Sequence, residues 1–181
     1  MNTDNPWITH STSIGYENPW ITVEHNEVTT PGGSPGIYGV VRFKNLAVGV
    51  LPIDDEDHTW LVGQYRYALD QYSWEMPAGG SPQGVDPEDT AHRELLEETG
   101  LRAGVLTPLL SGVKLTNSVT DETAYCYLAT ELTMGEAEPE DTEQLQLRRL
   151  PVDEVIEMCM TGKIDDSYTL ISFFKLAQLR R

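Results

Sequence analysis

The stretch DPEDTAHRELLEETGL, residues 86–101, constrains this chain more than any other, because it reads as one helix with both ends marked. Asp86 suits the N-cap, and Pro87 suits the first helical position, where its missing N–H costs nothing. Asp89 stands three residues beyond the cap, and Gly100 supplies a left-handed stop after Thr99. Ala91 and Leu95, with Leu96 beside them, form the buried stripe, and His92 projects toward the same side. Glu94, Glu97 and Glu98 fall at i, i+3 and i+4, so the expectation is one acidic face opposite that stripe. Like charges at this spacing repel by about a few tenths of a kcal/mol per pair.

That crowding has two readings. One is a solvated face on which Arg93 pairs with Glu97 at i, i+4. The other is a hard-cation site, where carboxylate oxygens take Mg2+ or Mn2+ and the bound charge relieves the repulsion. The second gains from its setting, because the glycine-rich turn PAGG, residues 77–80, leads toward the helix and offers backbone carbonyls as further oxygen ligands.

The rest of the composition narrows the function classes. Acids outnumber bases by 29 to 12, for a net charge of −17, which argues against nucleic acid as a partner. A small phosphorylated ligand stays open, since a bound cation inverts the local field. The apolar runs fall short of a membrane span, and the opening MNTDNPWITH lacks a signal-peptide pattern, so the expectation is a soluble cytoplasmic protein. Cys126 and Cys159 lack metal-ligand spacing and read as buried free thiols of a reducing compartment.

Periodicity predicts strands over 20–28, 37–43, 46–53, 59–66 and 72–76, with PAGG ending the last of these. After the acidic helix, strands are expected over 105–114, 123–132 and 145–150, then helices over 152–161 and 168–179. An acidic loop, GEAEPEDTE, occupies 135–143. The pentapeptide NPWIT occurs twice, at 5–9 and 18–22, but the match stops there and sets no repeat period. The fold class is α+β, an α/β/α sandwich.

RELLEETGL at 93–101 resembles the core of the Nudix box, G-x5-E-x7-R-E-U-x-E-E-x-G-U with U a bulky apolar residue, and Gly79 falls on its opening glycine. QYRY at 64–67 and WEMPAGG at 74–80 resemble the Nudix branch that hydrolyses ADP-ribose and nucleotide sugars. The likeness runs from about residue 37 to 179, and the preceding residues match that branch's N-terminal strands more loosely. The resemblance implies a Nudix fold with a mixed central sheet over 37–181. It also implies an N-terminal element of antiparallel strands over 1–36, through which the chain forms a homodimer. The implied reaction is metal-dependent hydrolysis of the pyrophosphate in nucleoside diphosphate sugars.

By the same resemblance, Glu94 and Glu98 are the chief metal ligands, with Glu97 and the Ala78 carbonyl completing the set. Glu94 and Glu97 count among the catalytic acids, and Arg93 braces the glutamates. The general base falls among Glu140, Asp141 and Glu143, with Glu122 a weaker choice. Arg66 is suited to grip a phosphate or to form a strand-end salt bridge. Glu75 is suited to contact substrate or to order the site, and Trp20, with Tyr16, to stack on a base.

Two departures stand out. The box expects a glutamate where this chain has Val85, with Asp86 and Glu88 nearby; that feature favours the alternative of a nucleotide-binding sensor that does not hydrolyse. ADP-ribose hydrolases of the family carry a proline about fifteen residues past the box. Here Thr116 and Asn117 stand in that region, which moves weight toward sugars such as GDP-mannose.

Overall fold

Among residues 3–135 and 145–181, which the computed structural model describes, the chain forms two units, each built on its own sheets. The first comprises the residues through Asn45 together with Thr116–Glu122. It holds an antiparallel meander of β1 (Ile8–Glu17), β2 (Ile21–Thr29) and β3 (Pro35–Phe43). Segment 116–122 returns to β3: the Val41 amide donates to the Val119 carbonyl at 2.9 Å, and the Tyr38 hydroxyl donates to that of Ser118 at 2.6 Å. Strand β1 was not expected from periodicity. All of its positions are exposed, so no alternation of apolar and polar residues marks it.

The second unit comprises Leu46–Leu115 and Thr123–Arg181. Its mixed sheet runs in the order β7 (Ala78–Pro82), β4 (Asn45–Pro52), β9 (Thr123–Met134), β8 (Leu101–Lys114). Strand β4 lies parallel to β9, and β9 lies antiparallel to β8. A parallel strand covered on both faces needs an unbroken apolar run, which LAVGVL in β4 provides. The other sheet is antiparallel, in the order β10 (Gln146–Pro151), β5 (His58–Arg66), β6 (Gln71–Glu75).

Three helices complete the unit among the described residues: α1 (Pro87–Thr99), α2 (Val152–Met160) and α3 (Ser167–Leu179). Val48 and Val50 of β4 pack with Ala91 and Leu95 of α1. Leu51 packs instead with Leu61, Met76, Val155 and Phe173, which brings in β5, α2 and α3. The mixed sheet therefore carries α1 on one face and the remaining layers on the other, as the α+β reading required. The turn PAGG does not simply end a strand: the chain breaks at Met76–Pro77 and resumes as β7 in the other sheet.

Candidate active site

Helix α1 begins and ends where its sequence signals place it. The Asp86 carboxylate accepts from the Glu88 amide at 3.0 Å, and Gly100, at φ 71°, donates its N–H to the Leu96 carbonyl at 2.9 Å. The inward side differs from the expectation. Glu94 and Glu98 are each only 7% exposed and share the buried stripe with Ala91 and Leu95, while His92 is exposed. The reason lies opposite, in β7. A side chain at Gly79 would collide with the Glu94 carboxylate, so the glycine opens a slot in which the acid lies against backbone. The Ala78 amide donates to Glu98 Oε2 at 3.0 Å, and the Thr90 hydroxyl donates to that of Ser81 at 2.9 Å, tying β7 to the helix.

Arg93 answers part of the charge problem. Its Nη1 meets Glu97 Oε2 at 2.6 Å, and its Nη2 meets Glu94 Oε1 at 2.6 Å and donates to the Gly80 carbonyl at 3.2 Å. Burial alone would weaken the guanidinium's hold on its proton, but Glu94 and Glu97 outweigh it and raise the pKa. The contact with Gly80 was not foreseen from sequence, which gives no distance between a strand carbonyl and a helix side chain.

A second charged pair lies nearby. Arg66 donates from Nε to Glu75 Oε1 at 2.9 Å and from Nη2 to Oε2, a two-point fork. Burial pushes the Glu75 carboxyl up, yet the hydrogen bonds and charge of Arg66 prevail and hold it below the ordinary carboxylate range. Arg66 is raised in turn, first by Glu75 and more weakly by Asp166 and Glu98. Glu75 ends β6 and Ala78 begins β7, so only Met76 and Pro77 separate this pair from the Glu98 anchor.

The other expected residues lie in the first unit, outside the described residues or at the start of α1. Trp20, 66% exposed, Tyr16 and Glu122 belong to the first unit. Glu140, Asp141 and Glu143 lie outside the described residues. Val85 is exposed in the turn before α1, and the adjacent Asp86 carboxylate is committed to the cap.

Could these residues hold a cation? The described residues contain no group of three acidic, histidine or cysteine side chains gathered as a ligand cage. Glu94 and Glu98 nonetheless present hard carboxylate oxygens beside the backbone of β7, with the Ala78 N–H on Glu98 and the Arg93 guanidinium on Glu94. Mg2+ commonly binds through one or two carboxylates and fills its remaining positions with water and substrate phosphate. The donor set fits such an ion.

Comparison with known proteins agrees with this geometry. Residues 43–170 match the NUDIX domain, and residues 4–41 match the nucleoside diphosphate sugar hydrolase N-terminal domain. The chain is 28% identical to a CMP-5'-(N-acetyl-N-hydroxy-3-aminopropyl)phosphonate hydrolase of Streptomyces rubellomurinus, over 96% of this chain and 83% of that one. It is 32% identical to a methanol dehydrogenase activator of Bacillus methanolicus, over 84% and 82% of the two chains. With an ADP-ribose pyrophosphatase of Bacillus subtilis it shares 30% identity over 79% and 77%. A crystal structure of an ADP compounds hydrolase has the same fold, with a TM-score of 0.87 at 20% identity, covering 99% of this chain and 96% of that one. The glutamate-lined helix, the glycine that makes room for it and the matched domains together place the chain in the Nudix family, as a pyrophosphohydrolase of its ADP-ribose and nucleoside diphosphate sugar branch.

Proposed function

We propose that this enzyme hydrolyses the pyrophosphate bond of nucleoside diphosphate sugars such as GDP-mannose or ADP-ribose, releasing a nucleoside monophosphate and a sugar phosphate. The observation that carries the reading is the buried Glu94 and Glu98 pair set against the backbone of β7. Nudix hydrolases generally use divalent metals. Glu94, Glu97 and Glu98, with the Ala78 carbonyl, would hold Mg2+ or Mn2+, which supplies charge neutralisation to the diphosphate as the bridging bond breaks.

The protein's own groups do the rest. Water adds to one phosphorus, the bridging oxygen leaves with the other, and a carboxylate takes the water's proton. We assign that base to Glu140, Asp141 or Glu143. Arg66, braced by Glu75, keeps Nη1 outside their fork and offers it to a substrate phosphate oxygen. Trp20 offers its exposed ring to the base. Thr116 and Asn117, standing where ADP-ribose hydrolases carry proline, favour a sugar other than ADP-ribose as the preferred substrate.

The enzyme works as a homodimer in the cytoplasm, paired through its N-terminal strands, where Ile8, Ile14, Tyr16 and Ile37 are exposed. The test is release of phosphate from GDP-mannose and ADP-ribose by a coupled phosphatase, with and without Mg2+, and with product identification. Metal-dependent formation of the monophosphate and sugar phosphate is expected. Binding of both compounds without turnover of either would replace this reading with the sensor that Val85 favours.

A further inference from the structure

We infer that the first turn of α3 is a positioning element for the active site, with Thr169, oriented by Asp166, pegging the main chain at Met76 between Glu75 and Ala78. The place is particular. At Met76–Pro77 the chain leaves the β10-β5-β6 sheet and enters the β7-β4-β9-β8 sheet, and neither residue belongs to a strand. Pro77 has no N–H, so the Met76 amide is the one donor of this crossover, and no strand residue receives it. The Thr169 hydroxyl oxygen does, at 3.1 Å, from 93 residues away in sequence.

The hydroxyl is itself held in one orientation. Its proton goes to Asp166 Oδ2 at 2.7 Å, and the same oxygen accepts from the Thr169 amide at 2.7 Å, capping α3. With its donor committed, Thr169 turns a lone pair toward Met76. Thr169 is fully buried, so no water competes for the bond. Two further contacts close the clamp. The Tyr168 hydroxyl accepts from the Gly49 amide at 2.6 Å, and the Pro77 carbonyl accepts from the Val50 amide at 2.9 Å. Gly49 leaves no room for error: a side chain there would lie 2.5 Å from Met76 Cε and 2.9 Å from the Tyr168 ring.

The peg therefore sets two groups at once. One step before Met76, Glu75 receives the fork of Arg66; two steps after it, the Ala78 amide holds Glu98. A crossover that drifts moves the phosphate-facing arginine and the metal-facing glutamate relative to each other. Neither Asp166 nor Thr169 needs to touch substrate for this effect.

The inference rests on the metal-binding role proposed for Glu98, and the test separates the two. Thr169→Val keeps the volume and removes the acceptor; Thr169→Ser restores it; Asp166→Asn keeps a good cap but weakens the orientation of the hydroxyl. Mn2+ affinity is measured by electron paramagnetic resonance on full-length protein, with Glu98→Gln as control, beside kcat and KM for ADP-ribose and GDP-mannose. Supporting residues around metal sites typically change affinity or activity by about 10–100-fold. Thr169→Val is expected to weaken Mn2+ binding and lower kcat within that range, with KM moving less and Thr169→Ser near wild type. Wild-type Mn2+ affinity and kcat in a folded Thr169→Val protein would overturn the inference. If that variant does not fold, Asp166→Asn decides, with the same readouts and a smaller drop expected. Should the wild type bind Mn2+ yet turn over neither compound, the proposed substrates fail while the binding measurements still decide the peg. Should Glu98→Gln bind Mn2+ as well as wild type, both fail.

Discussion

The two units solve the burial problem differently. In the second, β4 alone sends Val48 and Val50 to one core and Leu51 to another, all fully buried. In the first, Val28 is the one apolar residue that is buried among the described residues, while Ile8, Ile14, Tyr16, Trp20 and Ile37 stand exposed. A sheet with so little interior gains little hydrophobic stabilisation of its own. The lesson is a difference in packing: the second unit holds Glu75, Glu94 and Glu98 on a well-packed support, whereas the first leaves Ile8, Ile14 and Ile37 exposed.

The largest effect that would break this comparison is catalytic. Glu98→Gln keeps the size of the side chain and an acceptor for the Ala78 amide, so the fold should hold while metal-dependent turnover falls by orders of magnitude in steady-state assays. A near wild-type rate would remove Glu98 from the site. Next comes packing. Leu95→Ala, at a fully buried position, should cost about 2–5 kcal/mol in chemical denaturation, whereas Val119→Ala, exposed in the first unit, should stay within about 0.5 kcal/mol. Similar losses at both positions would erase the contrast between the units.

Gly79→Ala lies in between and joins packing to function. The added methyl meets the Glu94 carboxylate, so we expect a cost of about 1–3 kcal/mol and a weaker response to Mg2+ titration. An unchanged Mg2+ response would show that Glu94 does not need its slot. For the first unit, Ile37→Asp should shift a dimer toward monomer in light scattering at micromolar concentration; a wild-type protein already monomeric there would contradict the assignment of that surface. The smallest effect concerns pH. Because Glu75 is held below its ordinary pKa of 4.5, its pair with Arg66 stabilises the fold above that pH, and the gain is lost as pH falls through and below it. Glu75→Gln should therefore flatten the acid limb of thermal stability, read by calorimetry; an unaltered limb would show that other carboxylates dominate.

Much of this architecture was legible in the sequence, for local reasons. Asp86, Pro87 and Gly100 mark α1 because caps and stops act within a few residues, and the apolar residues of β4 mark it as a strand. Strand β1 escaped because its exposed positions carry no alternation, and β7 escaped because its glycines serve a neighbour rather than a strand pattern. The acidic triplet was visible as a motif, but the burial of Glu94 and Glu98 was not: whether a glutamate faces water or backbone depends on what β7 brings opposite. The bond from Met76 to Thr169 was beyond reach for the same reason, since nothing local links residues 93 positions apart.

The central claim is that buried glutamates on α1 are arranged to hold a divalent cation beside β7. Anomalous diffraction from crystals soaked in Mn2+ tests it most directly. A peak bound by the Glu94 and Glu98 carboxylates, with Arg93 turned away from Glu94, is the predicted result. No peak at saturating Mn2+, with Arg93 still bridging Glu94 and Glu97, would contradict it.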